Sequence, residues 1–175
     1  MKTIRRCLAL GLASITGFGV LALSPVAAQA AVYPLHDGLS EATAAASCWE
    51  IKQNNPRSSD GTYWLQTATM DAPGQFFCDQ TTDGGGWVMI GRGREGWETW
   101  SQGNGDQTRL QTRPRTPGDF EVVQASHETV NGLLGGTKVS DLPDGVMVQR
   151  AWNHRGSAYQ TVRMQFPKMR DFIWP

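Results

Sequence analysis

The sequence predicts a loop-rich α+β domain: a disulfide-stapled N-terminal antiparallel β unit, then a small antiparallel sheet with one or two short helices. Three observations predict it. Short β-branched and aromatic runs alternate with turn formers, as at Thr62–Gln66, Gln75–Cys78 and Trp87–Gly91. A helical apolar face of Val130, Leu133 and Leu134 lies between a serine and two glycines. Two cysteines, Cys48 and Cys78, remain once an N-terminal leader is removed.

The leader comes first in the chain. Lys2, Arg5 and Arg6 form a basic start, Leu8 to Leu23 an apolar run, and Ala28-Gln29-Ala30 an A-x-A cleavage site. Residues 1–30 therefore read as a secretory signal peptide cut before Ala31. A membrane anchor is the alternative. Ser14, Thr16, Gly17 and Gly19 dilute the run and Pro25 breaks it, which disfavours a span. Arg5-Arg6 raises the twin-arginine route, but the following residues fit it poorly. No later segment is apolar enough to span a bilayer, so no membrane span is expected after signal removal.

About 145 of the 175 residues then remain, the size of one domain. Removal takes three of the 16 basic residues and none of the 16 acidic ones. The small negative balance leaves no basic field for nucleic acid or an anionic membrane. With 20 glycines and seven tryptophans, the chain suits an extracellular, loop-rich domain more than a helical enzyme core. Cys7 leaves with the leader. Cys48 and Cys78 are an even pair in an oxidising compartment and read as one disulfide. Closing a loop of that length is worth about 3.5–4 kcal/mol in the chain-entropy model. The alternative, reactive or metal-bound thiols, is disfavoured because no histidine lies near to complete a zinc set.

The elements follow in order. Residues 31–46 read as an N-terminal tail, with Ala42 to Ala46 either a helical turn or part of that tail. Domain order is expected near Cys48, so residues 47–175 form the domain. Lys52 to Gly61 is a loop rich in turn formers. Thr62–Gln66 is a strand, Asp71–Gly74 turns it, and Gln75–Cys78 returns. A polar turn at Asp79–Gly86 leads to a third strand at Trp87–Gly91, with Trp87 carried inward. Gly93 to Gly118 is irregular, long enough to be functional or mobile. Phe120–Val123 is a short strand. Ser126 caps a helix over His127–Leu134, and Gly135-Gly136 stops it. Val146–Arg150 and Ser157–Phe166 form a hairpin through Asn153–Gly156. Its second strand sets Ala158, Val162, Met164 and Phe166 on the core face, with Gln160 breaking the pattern. The apolar ending Phe172–Pro175 is expected to be a strand.

The chain is organised around Phe77-Cys78-Asp79-Gln80-Thr81-Thr82-Asp83-Gly84-Gly85-Gly86-Trp87. Three glycines in a row admit backbone geometry that other residues resist, and Asp83-Gly84 signals a tight turn. Phe77, Cys78, Asp79, Gly84, Gly85, Gly86 and Trp87 resemble the Tyr-Cys-Asp-x4-Gly-Gly-Gly-Trp pattern of bacterial short forms of the fibrinogen C-terminal-like domain. Phe77 stands in the Tyr place. Cys48-Trp49-Glu50-Ile51 resembles that family's opening cysteine with its Glu-Ile. Ser59–Leu65 resembles its first Tyr-Trp strand. Gly118-Asp119-Phe120 and Ala151-Trp152-Asn153 resemble later segments less closely.

The resemblance runs from about Cys48 to Phe166. It stops before the family's second disulfide, calcium loop and acetyl-sugar pocket, so those roles map to no position here. The chain is either a short form, its C-terminal ligand subdomain missing, or a truncated one. What the resemblance implies is a secreted, non-catalytic, lectin-like recognition or adhesion module. Its partners would be extracellular glycans, other surface polymers or proteins. The short motif and the A-x-A leader point to a bacterial host.

Other motifs carry weaker signals. Gly91-x-Gly93-x-x-Gly96 has the dinucleotide spacing but no helix to follow it. His36, His127 and His154 are scattered, and neither a G-x-S-x-G nor an H-E-x-x-H is present. A secreted hydrolase using His127 or His154 is the alternative function, and a purely structural extracellular protein is the third. No cofactor is expected. Asp79 and Asp83 are the carboxylates through which calcium would enter, although turn carboxylates more often cap backbone N–H groups. Trp97 and Trp100, with Trp152 elsewhere, would offer faces for sugar stacking.

Overall fold

The polypeptide builds its core where a short helix crosses a three-stranded sheet. In the computed structural model, residues 35–93, 105, 107–113, 121–151 and 158–167 are described. The leader and the expected C-terminal strand lie outside them. The described residues all fall in one unit, Tyr33–Pro175. Helix α1 covers Cys48–Asn54. Strands β1 (Gly61–Leu65), β2 (Gly74–Asp79) and β3 (Trp87–Val88) form an antiparallel sheet in the order β1-β2-β3. Tyr63 sits opposite Phe76, and Cys78 opposite Val88. Cys48 on α1 is bonded to Cys78 on β2, with the Cα atoms 5.6 Å apart. Around this bond Ala45, Ile51, Tyr63, Leu65 and Phe76 are buried in one hydrophobic cluster.

Helix α1 falls where the sequence reading began a loop at Lys52. Its signal is local. Ser47 accepts from the Glu50 N–H at 3.0 Å, and the Glu50 carboxylate accepts from the Ala46 N–H at 2.6 Å. This is a close relative of the Ser-x-x-Glu capping box. Residues 35–46, read as a tail, are also part of the fold. Ala45 is fully buried and bridges Leu65 in parallel, and the Trp64 N–H donates to the Gly38 carbonyl at 2.7 Å. Small alanines fit against a sheet edge without carrying an amphipathic pattern, which is why the stretch reads as featureless.

The expected third strand divides. After β3 the chain leaves the first sheet, and β4 (Gly91–Arg92) pairs instead with β5 (Val123–Gln124). Met89 and Ile90, between them, pack on a second cluster of Leu110, Val123, Ala125 and Val130. Two pulls on one apolar run thus break it. β5 begins at the last residue of the expected strand 120–123, and Phe120 lies outside the described residues.

Helix α2 spans His127–Leu134. Ser126 accepts from the Thr129 N–H at 3.2 Å, and Gly135 ends the helix in the left-handed region. Val130 is buried, Leu134 packs on the second cluster and Leu133 on the first. The last pair, β6 (Val146–Ala151) and β7 (Tyr159–Met164), is an antiparallel hairpin with Val148 opposite Val162. Its apolar face corrects the sequence reading. Val148, Val162 and Met164 are 42%, 45% and 40% exposed, so two of the four side chains assigned to the core, Val162 and Met164, are open to solvent, while Ala158 and Phe166 are half-buried. Period two predicts which side chains share a face, but not whether that face is covered.

Candidate functional site

The glycine turn between β2 and β3 gathers contacts from helix α1, from Arg113 and from the last hairpin. Phe77, Cys78 and Asp79 are buried at the end of β2. A 3-10 turn at Thr82–Gly84 follows, with Asp83 at φ 51°, Gly84 at φ 90° and the Gly85 N–H donating to the Thr82 carbonyl at 2.9 Å, which is the tight turn expected at Asp83-Gly84. The three glycines have different duties. A side chain at Gly84 would meet open space. At Gly85, with φ 77° and ψ −174°, a Cβ would lie 2.3 Å from the Gln80 carbonyl oxygen. At Gly86 it would lie 2.6 Å from the Trp49 ring on α1. Gly85 is therefore set by backbone approach, and Gly86 by the passage of the helix.

Gln80, which carried no functional signal in the sequence, holds the turn to the helix. Its side chain is fully buried. Nε2 donates to the Cys48 carbonyl at 3.0 Å, and Oε1 accepts from the Gly86 N–H at 3.1 Å. Its own N–H donates to Asp60 Oδ1 at 2.7 Å. A buried amide meets its partners on both ends here, as a buried polar group must.

Asp79 Oδ1 accepts from the Thr82 and Thr81 N–H groups, at 2.8 and 3.1 Å, while Oδ2 faces Arg113 at 3.3 Å. Burial acts to raise its pKa. The hydrogen bonds from Thr82 and Thr81 and the charge of Arg113 outweigh burial and hold it below the ordinary carboxylate value. Asp83 pairs with Arg163 of β7. Both turn carboxylates named as calcium candidates are thus engaged by arginines and backbone N–H groups. Among the described residues no three acidic, histidine or cysteine side chains gather as a metal set.

Trp87 is half-buried, not enclosed as expected. The Arg163 guanidinium lies over its ring at 5.1 Å from the centroid, and the buried indole N–H meets no acceptor among the described residues. Arg113 lies over Tyr159 at 5.3 Å and donates to Gln149 at 2.6 Å. No local signal marks either arginine, since each reaches its turn carboxylate across more than thirty residues of sequence.

The two described histidines, His36 and His127, serve separate partners. His36 Nδ1 lies 2.8 Å from the Ala44 carbonyl oxygen. His127 Nε2 lies 2.9 Å from Glu128 Oε1, both exposed. Ser126 next to it is engaged by Thr129 as the helix cap, so serine and histidine serve different partners. His154 and the tryptophans Trp97, Trp100 and Trp152 lie outside the described residues, as does Gly96 of the glycine-spaced loop. Beside α2 runs an open groove of about 500 Å³, lined by Thr69, Glu128, Asn131, Leu134, Thr137 and Lys138.

A 69-residue stretch of the chain is 36% identical to angiopoietin-4 of Mus musculus, which has a fibrinogen C-terminal domain. The match covers 35% of this chain and 13% of that protein. The chain matches no family model and no solved structure. The partial identity hints at a fibrinogen-like domain, and the mixed α and β structure with small antiparallel sheets and one disulfide is compatible with one.

Proposed function

We propose that this chain acts outside the cell as a non-catalytic, fibrinogen-like recognition module for glycans or other surface polymers. The observation that carries the reading is the 36% identity to angiopoietin-4 over 69 residues. The geometry adds a place for contact. The groove beside α2 offers a carboxylate, an amide, hydroxyls and an ammonium around an apolar residue, the mixture a polyhydroxylated ligand requires. Recognition there needs no covalent step and no cofactor. The hydrolase alternative gains nothing from His127, whose partner is an exposed carboxylate.

The test is a glycan-array screen of purified, oxidised protein, with calcium and then with chelator, beside an Asn131→Ala/Glu128→Ala variant. Binding that is calcium-independent and lost in the variant is the expected result. Binding that needs calcium would move the site away from the groove. A folded protein that binds no glycan in either condition would overturn the glycan reading.

A further inference from the structure

We propose that the β6–β7 hairpin is a detachable arm, held on the glycine turn by two arginines and released by ionic strength while the disulfide-bonded sheet stays folded.

The first ground is what the hairpin lacks. Among the described residues, neither hydrophobic cluster contains a residue of β6 or β7. Every residue of β7 is exposed. A two-stranded hairpin alone is marginal in water, so docking must come from elsewhere.

The second ground is how it is tied. By register, Met147, Gln149 and Ala151 share a face with Arg163, Thr161 and Tyr159. From this face Arg163 binds the Asp83 carboxylate, donates to the Asp83 carbonyl at 3.1 Å and lies over Trp87. It also pairs with Asp144 at 3.2 Å, just before β6. Arg113 comes from the opposite side. It joins Asp79 of the turn to Gln149 and Tyr159 of the hairpin. Gln149 Nε2 donates to the Thr82 hydroxyl at 3.0 Å, closing the ring of contacts. Each arginine therefore binds one turn carboxylate and one aromatic face where turn and hairpin meet.

Such a junction responds to salt. The Arg163 pairs are solvent-accessible, and exposed pairs are weak and screened by mobile ions. The β1–β2 sheet, by contrast, rests on buried apolar contacts and a covalent bond, which salt does not loosen. The two parts should open with different free energies. Lifting the arm uncovers the Trp87 face and frees Asp83, presenting an aromatic and acidic surface that the closed form occupies with Arg163.

Hydrogen exchange read by mass spectrometry on the oxidised, full chain tests this. Amides of Val146–Ala151 and Tyr159–Met164 should exchange faster than those of β1 and β2. Raising NaCl from about 0.05 M to about 1 M should speed the hairpin amides by about five-fold, through the exposed Arg163–Asp83 pair that joins hairpin to turn, and leave β1 and β2 unchanged. Arg163→Met should show the faster exchange already at low salt and lose most of the salt response. Salt-independent hairpin exchange, or an acceleration shared equally by β1 and β2, overturns the proposal. Should Arg163→Met not fold, the salt series on the unaltered protein decides it alone.

Discussion

Gly85→Ala is the substitution that tests the glycine turn most directly. A methyl group there meets the Gln80 carbonyl oxygen at 2.3 Å and its carbon at 2.6 Å. Neither can yield cheaply, because the Gln80 side chain is fixed at both ends, to Cys48 and to Gly86. Backbone strain in a glycine-only region costs about 1–3 kcal/mol. Overpacking against a fixed neighbour adds about 1–3 kcal/mol, and the stiffer unfolded chain returns only about 0.4–1 kcal/mol. The net loss is about 2–5 kcal/mol. Gly84→Ala is the control, since Gly84 has φ 90° but open space around it. It should lose only the strain, about 1 kcal/mol. Urea unfolding of the two oxidised variants, followed by tryptophan fluorescence, separates them. At a slope of about 2 kcal/mol/M, the Gly85→Ala midpoint should fall about 0.5 M or more below that of Gly84→Ala. Midpoints that coincide would refute the assignment of Gly85 to backbone approach.

Two further predictions follow from the same turn. Asp79 contributes stability above the ordinary unfolded carboxylate value of about 3.9. This is lost as pH falls through its lower folded value. Asp79→Asn should therefore flatten the drop of the urea midpoint below about pH 4, and an acid limb identical to that of the unaltered protein would clear Asp79 of that role. Gln80→Leu strands the Gly86 N–H and the Cys48 carbonyl. It should cost about 2–4 kcal/mol in the same unfolding experiment, and a loss under about 0.5 kcal/mol would show that the bridge is dispensable.

Much of the local architecture was legible in the residues. The strands near Thr62–Gln66 and Gln75–Cys78 lie within a residue of β1 and β2, because β-branched and aromatic runs between turn formers have few other uses. Helix α2 matches from cap to stop, since Ser126, the apolar face and Gly135 each act within one turn. Helix α1 is legible too, in Ser47 and Glu50, although the adjacent cysteine is the louder cue. The candidate site was legible only as a motif. Asp79, Gly84, Gly85, Gly86 and Trp87 mark the turn, yet Gln80, which ties it to α1, looks like any polar loop residue.

The residue order carries the secondary elements whose cues are near neighbours, the pair of cysteines and the position of the glycine turn. Three-dimensional folding sends the Met89 and Ile90 side chains to a second core. It also sets Arg113 and Arg163 on the turn carboxylates and leaves Val148, Val162 and Met164 of β6–β7 open to solvent. The difference is one of range. Periodicity and capping are written between residues a few positions apart, whereas burial and ion pairing depend on which distant segment arrives opposite.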